Sequence, residues 1–218
     1  MQLIEQLKDV LGEYSIEVSC EFDQINLKVS VKHWHEIAML LRDHPKLAFD
    51  TLLDVCAVDY LHYGMSEWAT NEVTLTGYSR ARADLPTACP EPRFASIYHL
   101  LSVEKNHRLR IVVPIDSDDL TVDSVVDVWP VADWFEREAY DLFGVVYVGH
   151  PDLRRILTDY GFIGHPLRKD FPLSGQLEIG YDASQEACVY QPVDIQPRVT
   201  VAKVVRDDER YNPTGDHQ

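Results

Sequence analysis

Two long alternating segments joined by a three-residue turn limit the possible folds of this chain more than any other feature. In RFASIYHLLSV, residues 93–103, and HRLRIVVPI, residues 107–115, apolar and polar side chains alternate as in half-buried strands. The polar turn EKN joins them. The pattern therefore predicts a hairpin within a small, mostly antiparallel sheet.

The residues before this hairpin predict a second hairpin between two amphipathic helices. SIEVSC and INLKVS alternate in the same way on either side of EFDQ. The helix before them is predicted by an apolar face that comprises Leu3, Ile4, Leu7, Val10 and Leu11. The helix after them is predicted by an apolar face that comprises Trp34, Ile37, Ala38 and Leu41. Gly12 and Pro45 are expected to end the two helices.

The middle of the chain is less regular. Periodicity leaves FDTLLDVCAVDYL, residues 49–61, open between helix and strand. The polar stretch 64–93 contains three prolines and predicts an exposed excursion. After the hairpin, Asp118 or Thr121 could cap a helix that Pro130 interrupts, before a second helical run that ends at Gly144.

From residue 145 onward the sequence loses its regular periodicity, because prolines separate short apolar segments that show neither a helical nor a strand period. A long segment of this kind is either disordered or laid against a partner, and its tyrosines and phenylalanines argue against simple disorder. We therefore predict an α+β chain. Residues 1–144 form an N-terminal α/β domain with a small, mostly antiparallel sheet packed by helices. Residues 145–218 form loops and a long, extended, mostly irregular arm that binds a partner.

Composition excludes several classes of protein. The 218 residues, 45% of them apolar, suffice for one domain with appendages or at most two small domains. The formal charge of −16 argues against a nucleic-acid binder and against unaided docking on anionic lipid. The sequence shows neither a membrane-spanning run nor a secretory signal, which predicts a cytosolic location. The four cysteines lie far apart, without CxxC or Cys/His spacing typical of metal sites.

The stretch EREAYDLFGVVYVGHPDLRRI, Glu136–Ile156, allows two interpretations. Glu138 and Asp141 stand one helical turn apart with His150 just beyond the helix end, so they could bind a metal or act as acid and base in a metal-dependent hydrolase. The simpler interpretation pairs Arg137 with Asp141 at i,i+4 on the helix surface. The sequence alone leaves both open.

The motif GHP occurs twice, at 149–151 and 164–166, and basic residues follow each copy. The two copies could be proline turns on a solvated surface. Between the two groups of basic residues, however, the sequence supplies apolar residues that we expect to be buried anchors: Leu153, Ile156, Leu157, Tyr160, Phe162, Ile163 and Leu167. Buried anchors ringed by arginines are the composition of a protein–protein hot spot. We therefore expect Arg154, Arg155 and Arg168 to meet carboxylates of a partner.

The chain contains no sequence motif for a cofactor. Neither GxGxxG nor GxxxxGK[ST] occurs, and PLSGQ around Ser174 lacks the pattern of a nucleophile elbow. We therefore predict no catalytic, cofactor-binding or metal-binding residues, and no flavin, nickel or iron–sulfur cluster bound by this chain.

The stretch WFEREAYDLFGVVYVGHPDLRRILTDYGFIGHPLRKDFPLSG, Trp134–Gly175, closely resembles the signature of a family of peripheral-arm subunits of respiratory complex I, the C subunits of NADH-quinone oxidoreductase. VDYL at 58–61 and the paired strands YHLLSV and RLRIVVPI also fit that family's α/β domain. The residues expected to form the signature and the partner interface are Glu136, Arg137, Glu138, Asp141, Phe143, His150, Arg154, Arg155, His165, Arg168, Lys169 and Asp170.

The resemblance implies a non-catalytic structural subunit of a proton-translocating assembly. That assembly passes electrons from NADH through FMN and iron–sulfur clusters, held by partner subunits, to quinone. The resemblance also implies that the loops and tail run over the D subunit, near the B and I subunits, on the cytoplasmic side of the bacterial inner membrane. Membrane association would then come only through the complex. The alternative is the corresponding subunit of a membrane-bound hydrogenase or formate-hydrogen-lyase complex.

Overall fold

The computed structural model of the protein describes residues 2–63, 73–74, 77–78 and 92–195. These residues belong to two compact units. The first unit comprises Met1–Leu61 and Pro90–Leu173, and the second comprises His62–Cys89 and Ser174–Gln218. Residues 145–173 therefore group with the first unit in this division.

The first unit contains a five-stranded sheet, a separate pair of short strands and the three described α-helices. In chain order its elements are α1 Gln2–Val10, β1 Ile16–Glu21, β2 Gln24–Val29, α2 Trp34–Asp43, β3 Thr51–Asp59, β6 Phe94–Ser102, β7 His107–Ile115, β8 Thr121–Asp123, α3 Ala132–Phe143 and β9 Val146–Val148. Between β3 and β6 the chain forms two further strands in the second unit, β4 Val73–Thr74 and β5 Gly77–Tyr78.

The five strands lie in the order β1-β2-β7-β6-β3, and every neighbouring pair except β2–β7 is antiparallel. Both predicted hairpins, β1–β2 and β6–β7, are confirmed. The segment that periodicity left open is the edge strand β3. Phe22 and Asp23 close the first hairpin with positive φ angles of 51° and 65°, as a tight two-residue turn requires.

The core lies against one face of this sheet. Alternate side chains of β6 and β7 are buried, as period-two strands with one covered face should be. They join the buried faces of α1 and α2 in one apolar cluster. The rings of Trp34 on α2 and Tyr98 on β6, for example, lie 4.2 Å apart between centroids. The intervening strand residues, among them Cys56 and His99, are half-buried.

The helix predicted to begin near Asp118 or Thr121 is absent from the described residues before Pro130. Thr121–Asp123 is instead the short strand β8, which pairs in parallel with β9. The reason is tertiary: this β-branched segment finds backbone partners at residues 146–148, and such pairing outweighs a weak local preference. The second helical run is confirmed as α3, which ends at Gly144 in a left-handed conformation.

The predicted long, mostly irregular arm is not confirmed, because part of it forms regular strands in the second unit. Leu177–Asp182 and Ala187–Pro192 form the antiparallel hairpin β10–β11. The prolines lie outside this hairpin or at its last residue, so they delimit the strands rather than interrupt their pairing. The N–H and hydroxyl of Ser184 both donate to Asp182 in the connecting turn. The rest of the predicted arm, residues 196–218, and most of the excursion 64–93 lie outside the described residues.

Candidate functional site

The buried carboxylate of Asp141, near the end of α3, holds a loop that follows much later in the chain. Its Oδ2 accepts the backbone N–H groups of Ile156, Leu157 and Thr158 at 3.1, 2.8 and 2.8 Å. Its Oδ1 accepts a guanidinium N–H of Arg155 at 2.8 Å and the Thr158 hydroxyl. We call residues 154–171 the signature loop, and Asp141 anchors its first turn.

These donors also fix the charge of the carboxylate. Burial alone raises the pKa of Asp141, because the charged form loses hydration. The hydroxyl and N–H of Thr158, the N–H of Leu157 and the Arg155 guanidinium outweigh that effect and hold the pKa well below its usual range. Asp141 is therefore ionised at neutral pH, with its oxygens occupied by five donors.

Arg155 links Asp141 to the second half of the signature loop. Its Nη2 donates to the carbonyl oxygen of Gly164 at 2.9 Å, and its guanidinium lies over the Phe162 ring. Phe162 in turn stacks on Phe171 at 5.8 Å between ring centroids. A β-carbon at Gly164, where φ is +95°, would lie 2.9 Å from the Phe171 ring, so this turn requires glycine.

The second GHP motif caps the C-terminal end of α3. The last four carbonyl groups of a helix have no partners within it, and burying them unpaired is costly. Here each carbonyl has a donor: Gly144 N for Tyr140 at 2.8 Å, His165 Nδ1 for Asp141 at 2.9 Å, Leu167 N for Leu142 at 3.1 Å, and Arg168 Nε for Phe143 at 2.6 Å. The helix end and the signature loop therefore form one hydrogen-bonded structure.

Gly144 makes this capping possible. Its φ of +80° favours glycine, and an added β-carbon would fall 2.5 Å from Arg168 Nη2 and 2.7 Å from His165 Nε2. Any side chain at this position would displace the two capping residues. Gly144 of the signature is thus a packing requirement.

The first GHP motif and Arg137 secure the start of the signature loop. The His150 ring, whose side chain is fully buried, lies with Nε2 3.1 Å from the carbonyl oxygen of Asp133 and accepts the N–H of Asp152 at Nδ1. Arg137 donates to the carbonyl oxygens of Arg154 and Arg155 at 3.2 and 3.3 Å. The predicted Arg137–Asp141 pair on the helix surface is therefore wrong, because the Asp141 carboxylate faces inward.

A second buried carboxylate ties the end of the signature loop to the sheet. Asp59, at the end of β3, binds the Arg93 guanidinium through both oxygens at 2.8 and 2.7 Å and accepts the N–H of Lys169 at 2.8 Å. Arg93 also reaches Asp170 at 2.9 Å. Burial raises the pKa of Asp59, but the bonds from Arg93, Lys169 and Leu61 outweigh it and lower the pKa.

Glu136 is the third buried acid of the site, and it secures the turn before α3. It accepts the Ser124 hydroxyl at 2.6 Å and the Val125 N–H at 2.8 Å. Burial raises the pKa of Glu136 to about 7, assisted by the acidic neighbours Asp133 and Asp127 and opposed by the two hydrogen bonds. Unlike Asp141, this carboxyl has no cation among its hydrogen-bond donors, which is why desolvation dominates.

The signature loop exposes large apolar side chains. Leu157 and Ile163 are 62% and 65% exposed, and Tyr160 is fully exposed. The backbone N–H of Leu157 is itself one of the three groups that Asp141 holds, so the buried carboxylate sets the position of this exposed side chain. Well-positioned exposed apolar side chains are the features from which protein interfaces are built.

The three residues of the hydrolase hypothesis lie in different environments. Asp141 is saturated by donors, Glu138 is exposed, and His150 is held by Asp133 and Asp152. Among the described residues, three possible metal ligands come together only at Asp54, Cys56 and His99. Sequence spacing missed this group, which only the register of β3 and β6 could have revealed.

Comparison with known proteins identifies the family. The sequence profile of the respiratory-chain NADH dehydrogenase 30 Kd subunit matches residues 27–177. The chain belongs to this family. The C subunit of NADH-quinone oxidoreductase from Coxiella burnetii (strain Dugway 5J108-111) is 50% identical over 213 residues, which cover 96% of this chain and 94% of that protein. The C subunit from Legionella pneumophila (strain Corby) is 49% identical over 212 residues, covering 96% and 93%.

Two solved structures share the fold of this member of the 30 Kd subunit family. A trypsin-resistant fragment of Nqo5 superimposes with a TM-score of 0.50 at 24% identity, covering 70% of this chain and 100% of the fragment. A chain of an archaeal membrane-bound sulfane sulfur reductase gives 0.52 at 20% identity, covering 79% and 87%. The names of the close relatives do not favour the hydrogenase alternative. Within the described residues, no helix is both long and apolar enough to span a membrane.

The signature residues have distinct places in this structure. Asp141, His150, Arg155, His165 and Arg168 direct their polar groups into the chain. We expected Arg155 and Arg168 to reach a partner's carboxylates, but both guanidinium groups have acceptors inside the chain. Arg154 is exposed beside Asp152 at 2.8 Å. If the signature forms an interface, the contacts must therefore come from the exposed side chains of the signature loop, which these inward-facing residues hold in place.

Proposed function

We propose that this chain is a structural subunit of NADH-quinone oxidoreductase and has no catalytic residues of its own. The observation that carries the proposal is the buried clamp of Asp141 and Arg155, which fixes a loop with exposed apolar side chains. The names of the close relatives support membership of this oxidoreductase. The enzyme passes electrons from NADH through FMN and iron–sulfur clusters to quinone, and we assign those cofactors to partner subunits.

The chemistry of the signature supports a positioning role. A general base or metal ligand needs a free lone pair directed at the substrate or ion. The oxygens of Asp141 and Asp59 instead accept several hydrogen bonds from their own chain. A clamp of this kind limits the conformations of the loop before a partner binds, which lowers the entropic cost of association.

The proposed partners are the D, B and I subunits of the peripheral arm, on the cytoplasmic side of the bacterial inner membrane. Two surfaces are available for them. One is the signature loop, and the other is the β10–β11 hairpin, whose side chains Ile179, Tyr181 and Tyr190 are exposed. The chain would reach the membrane only through the assembled complex.

A pair of matched variants tests the docking role. The double variant Leu157→Ser/Ile163→Ser removes two side chains that are 62% and 65% exposed, while Val103→Ser removes one that is 66% exposed in the β6–β7 turn. All three positions contribute little to the core. Losing interface anchors costs about 2 kcal/mol or more in binding, equivalent to roughly thirtyfold in affinity. Native electrophoresis should therefore show much less complex with the double variant and normal complex with Val103→Ser.

The outcomes separate docking from chemistry. Full assembly by Leu157→Ser/Ile163→Ser, with normal NADH oxidation, would contradict docking through the signature loop. Full assembly with lost turnover would point to a direct catalytic role. The purified wild-type chain should in addition contain neither flavin nor iron and oxidise no NADH. A stoichiometric flavin or iron–sulfur absorption band would refute the assignment of these cofactors to partner subunits.

A further inference from the structure

Three side chains of different chemistry converge on the half-buried face of the central sheet. Asp54 and Cys56 occupy alternate positions on the edge strand β3, so both point to this face. Strand pairing places Asp54 opposite His99 on β6 and Cys56 opposite Ile97. Cys56 is thus the diagonal neighbour of His99, within reach of its ring.

The ligand atoms of these side chains are close enough to share one ion. One carboxylate oxygen of Asp54, the Sγ of Cys56 and one ring nitrogen of His99 all lie within 4.8 Å of one another. The His99 Nδ1 is 3.8 Å from Asp54 Oδ2, too far for a hydrogen bond. Zinc bonds of about 2.0–2.3 Å bring such atoms to roughly 3.5 Å apart, so small rotations of the side chains would complete the geometry.

We propose that Asp54, Cys56 and His99 bind one Zn²⁺ ion on the sheet face. Thiolate sulfur, imidazole nitrogen and carboxylate oxygen are the three ligand types that zinc takes from proteins. Three protein ligands leave the fourth tetrahedral position to water. Zinc binding replaces the proton of the Cys56 thiol, which is released to solvent, and no electron is transferred.

The charges around the three ligands are compatible with a divalent cation. The Cys56 thiolate and the Asp54 carboxylate together carry two negative charges and neutralise Zn²⁺. Arg110 stands opposite His99 on β7, but its guanidinium donates to Asn26 Oδ1 on β2 at 2.7 Å. The bound centre is neutral overall, so the nearby arginine does not oppose it.

The ion would brace the edge of the sheet. Its ligands come from β3, which has a sheet neighbour on one side only, and from β6 next to it. Zn²⁺ has no redox chemistry in proteins, so such a site agrees with the proposal that electron-carrying cofactors belong to partner subunits. It replaces the expectation, drawn from cysteine spacing, that this chain has no metal-binding residues.

Zinc titration of the full-length chain tests the proposal. The protein, stripped with a chelator, is titrated with Zn²⁺ in competition with a chromophoric chelator, for the wild type and for Cys56→Ser, His99→Ala and Cys20→Ser. Cys20 is an exposed free thiol on β1 and serves as the matched control. Wild type and Cys20→Ser should bind one zinc ion with the same affinity. Cys56→Ser and His99→Ala should bind at least tenfold more weakly.

A second measurement on the wild-type protein does not depend on how the variants fold. Zinc should slow alkylation of Cys56 at least tenfold and leave alkylation of Cys20 unchanged, as measured by mass spectrometry. Co²⁺ should likewise give a thiolate charge-transfer band that Cys56→Ser abolishes. The proposal is overturned if Cys56→Ser binds zinc as tightly as wild type, if zinc protects both thiols equally, or if no stoichiometric binding occurs.

Discussion

Replacing Asp141 by asparagine should destabilise the first unit strongly, although the two side chains have nearly the same shape. The amide oxygen can still accept the backbone N–H groups at 156–158, but the amide NH₂ then faces the Arg155 guanidinium, a donor against a donor. Asp141 is fully buried, and Arg155 is only 25% exposed. Breaking a buried, hydrogen-bonded ion pair costs about 3–5 kcal/mol, because the remaining charge is left without its partner.

The assay is urea unfolding of the free chain at pH 7, followed by circular dichroism, with Asp152→Asn as the control. The same chemical change at Asp152 affects only an exposed pair with Arg154, so it should leave the unfolding midpoint unchanged. A total stability of about 5–15 kcal/mol allows Asp141→Asn to remain folded at low temperature. In the double variant, the losses in free energy of unfolding caused by Arg155→Ala and Asp141→Asn should be less than additive. A loss below about 1 kcal/mol, or full additivity, would refute the clamp.

Three further predictions concern other parts of the fold. The pKa of Glu136 is raised to about 7, so the folded state binds its proton more tightly than the unfolded state. The resulting contribution to the free energy of unfolding is complete below about pH 4.5 and is lost as the pH rises through 7. Glu136→Gln should therefore match wild type at about pH 4 and gain up to about 3 kcal/mol relative to it at pH 8, whereas a constant difference would contradict the shift. Gly144→Ala should cost about 2 kcal/mol more than Gly149→Ala in denaturant unfolding, because both positions share the strain of positive φ but only at Gly144 would the added β-carbon overlap neighbouring atoms; equal losses would remove the capping argument. Deleting residues 176–218 should leave the first unit folded and reduce assembly on native gels, and normal assembly would exclude a docking role for that segment.

Local sequence patterns predicted those helices and strands whose structure depends on their own residues alone. The apolar face of Leu3, Leu7 and Leu11 determines α1, and the alternation on either side of EKN determines β6 and β7. These features follow from periods of 3.6 and 2 residues. Glycine at 144 similarly marked the end of α3.

Contacts between distant residues could not be predicted in this way. Asp141 appeared to pair with Arg137 at i,i+4, but its donors come from a loop without periodicity, 14–17 residues further along the chain. The pairing of Thr121–Asp123 with β9 turned a predicted helix into a strand. The convergence of Cys56 with His99 depends on the register of two strands, which residue spacing does not contain.

Site-specific photo-crosslinking from position 160 is the most direct test that the signature loop docks on a partner subunit. Tyr160 is fully exposed on the signature loop, so a photoreactive phenylalanine derivative there should not disturb the fold. In the assembled oxidoreductase, irradiation should join this chain to the D subunit or to another protein of the peripheral arm, while the same group at position 103 serves as the comparison. Efficient crosslinks from position 160 are the predicted result. Assembled complex that yields no inter-subunit crosslink from position 160 would contradict the signature loop as a docking surface.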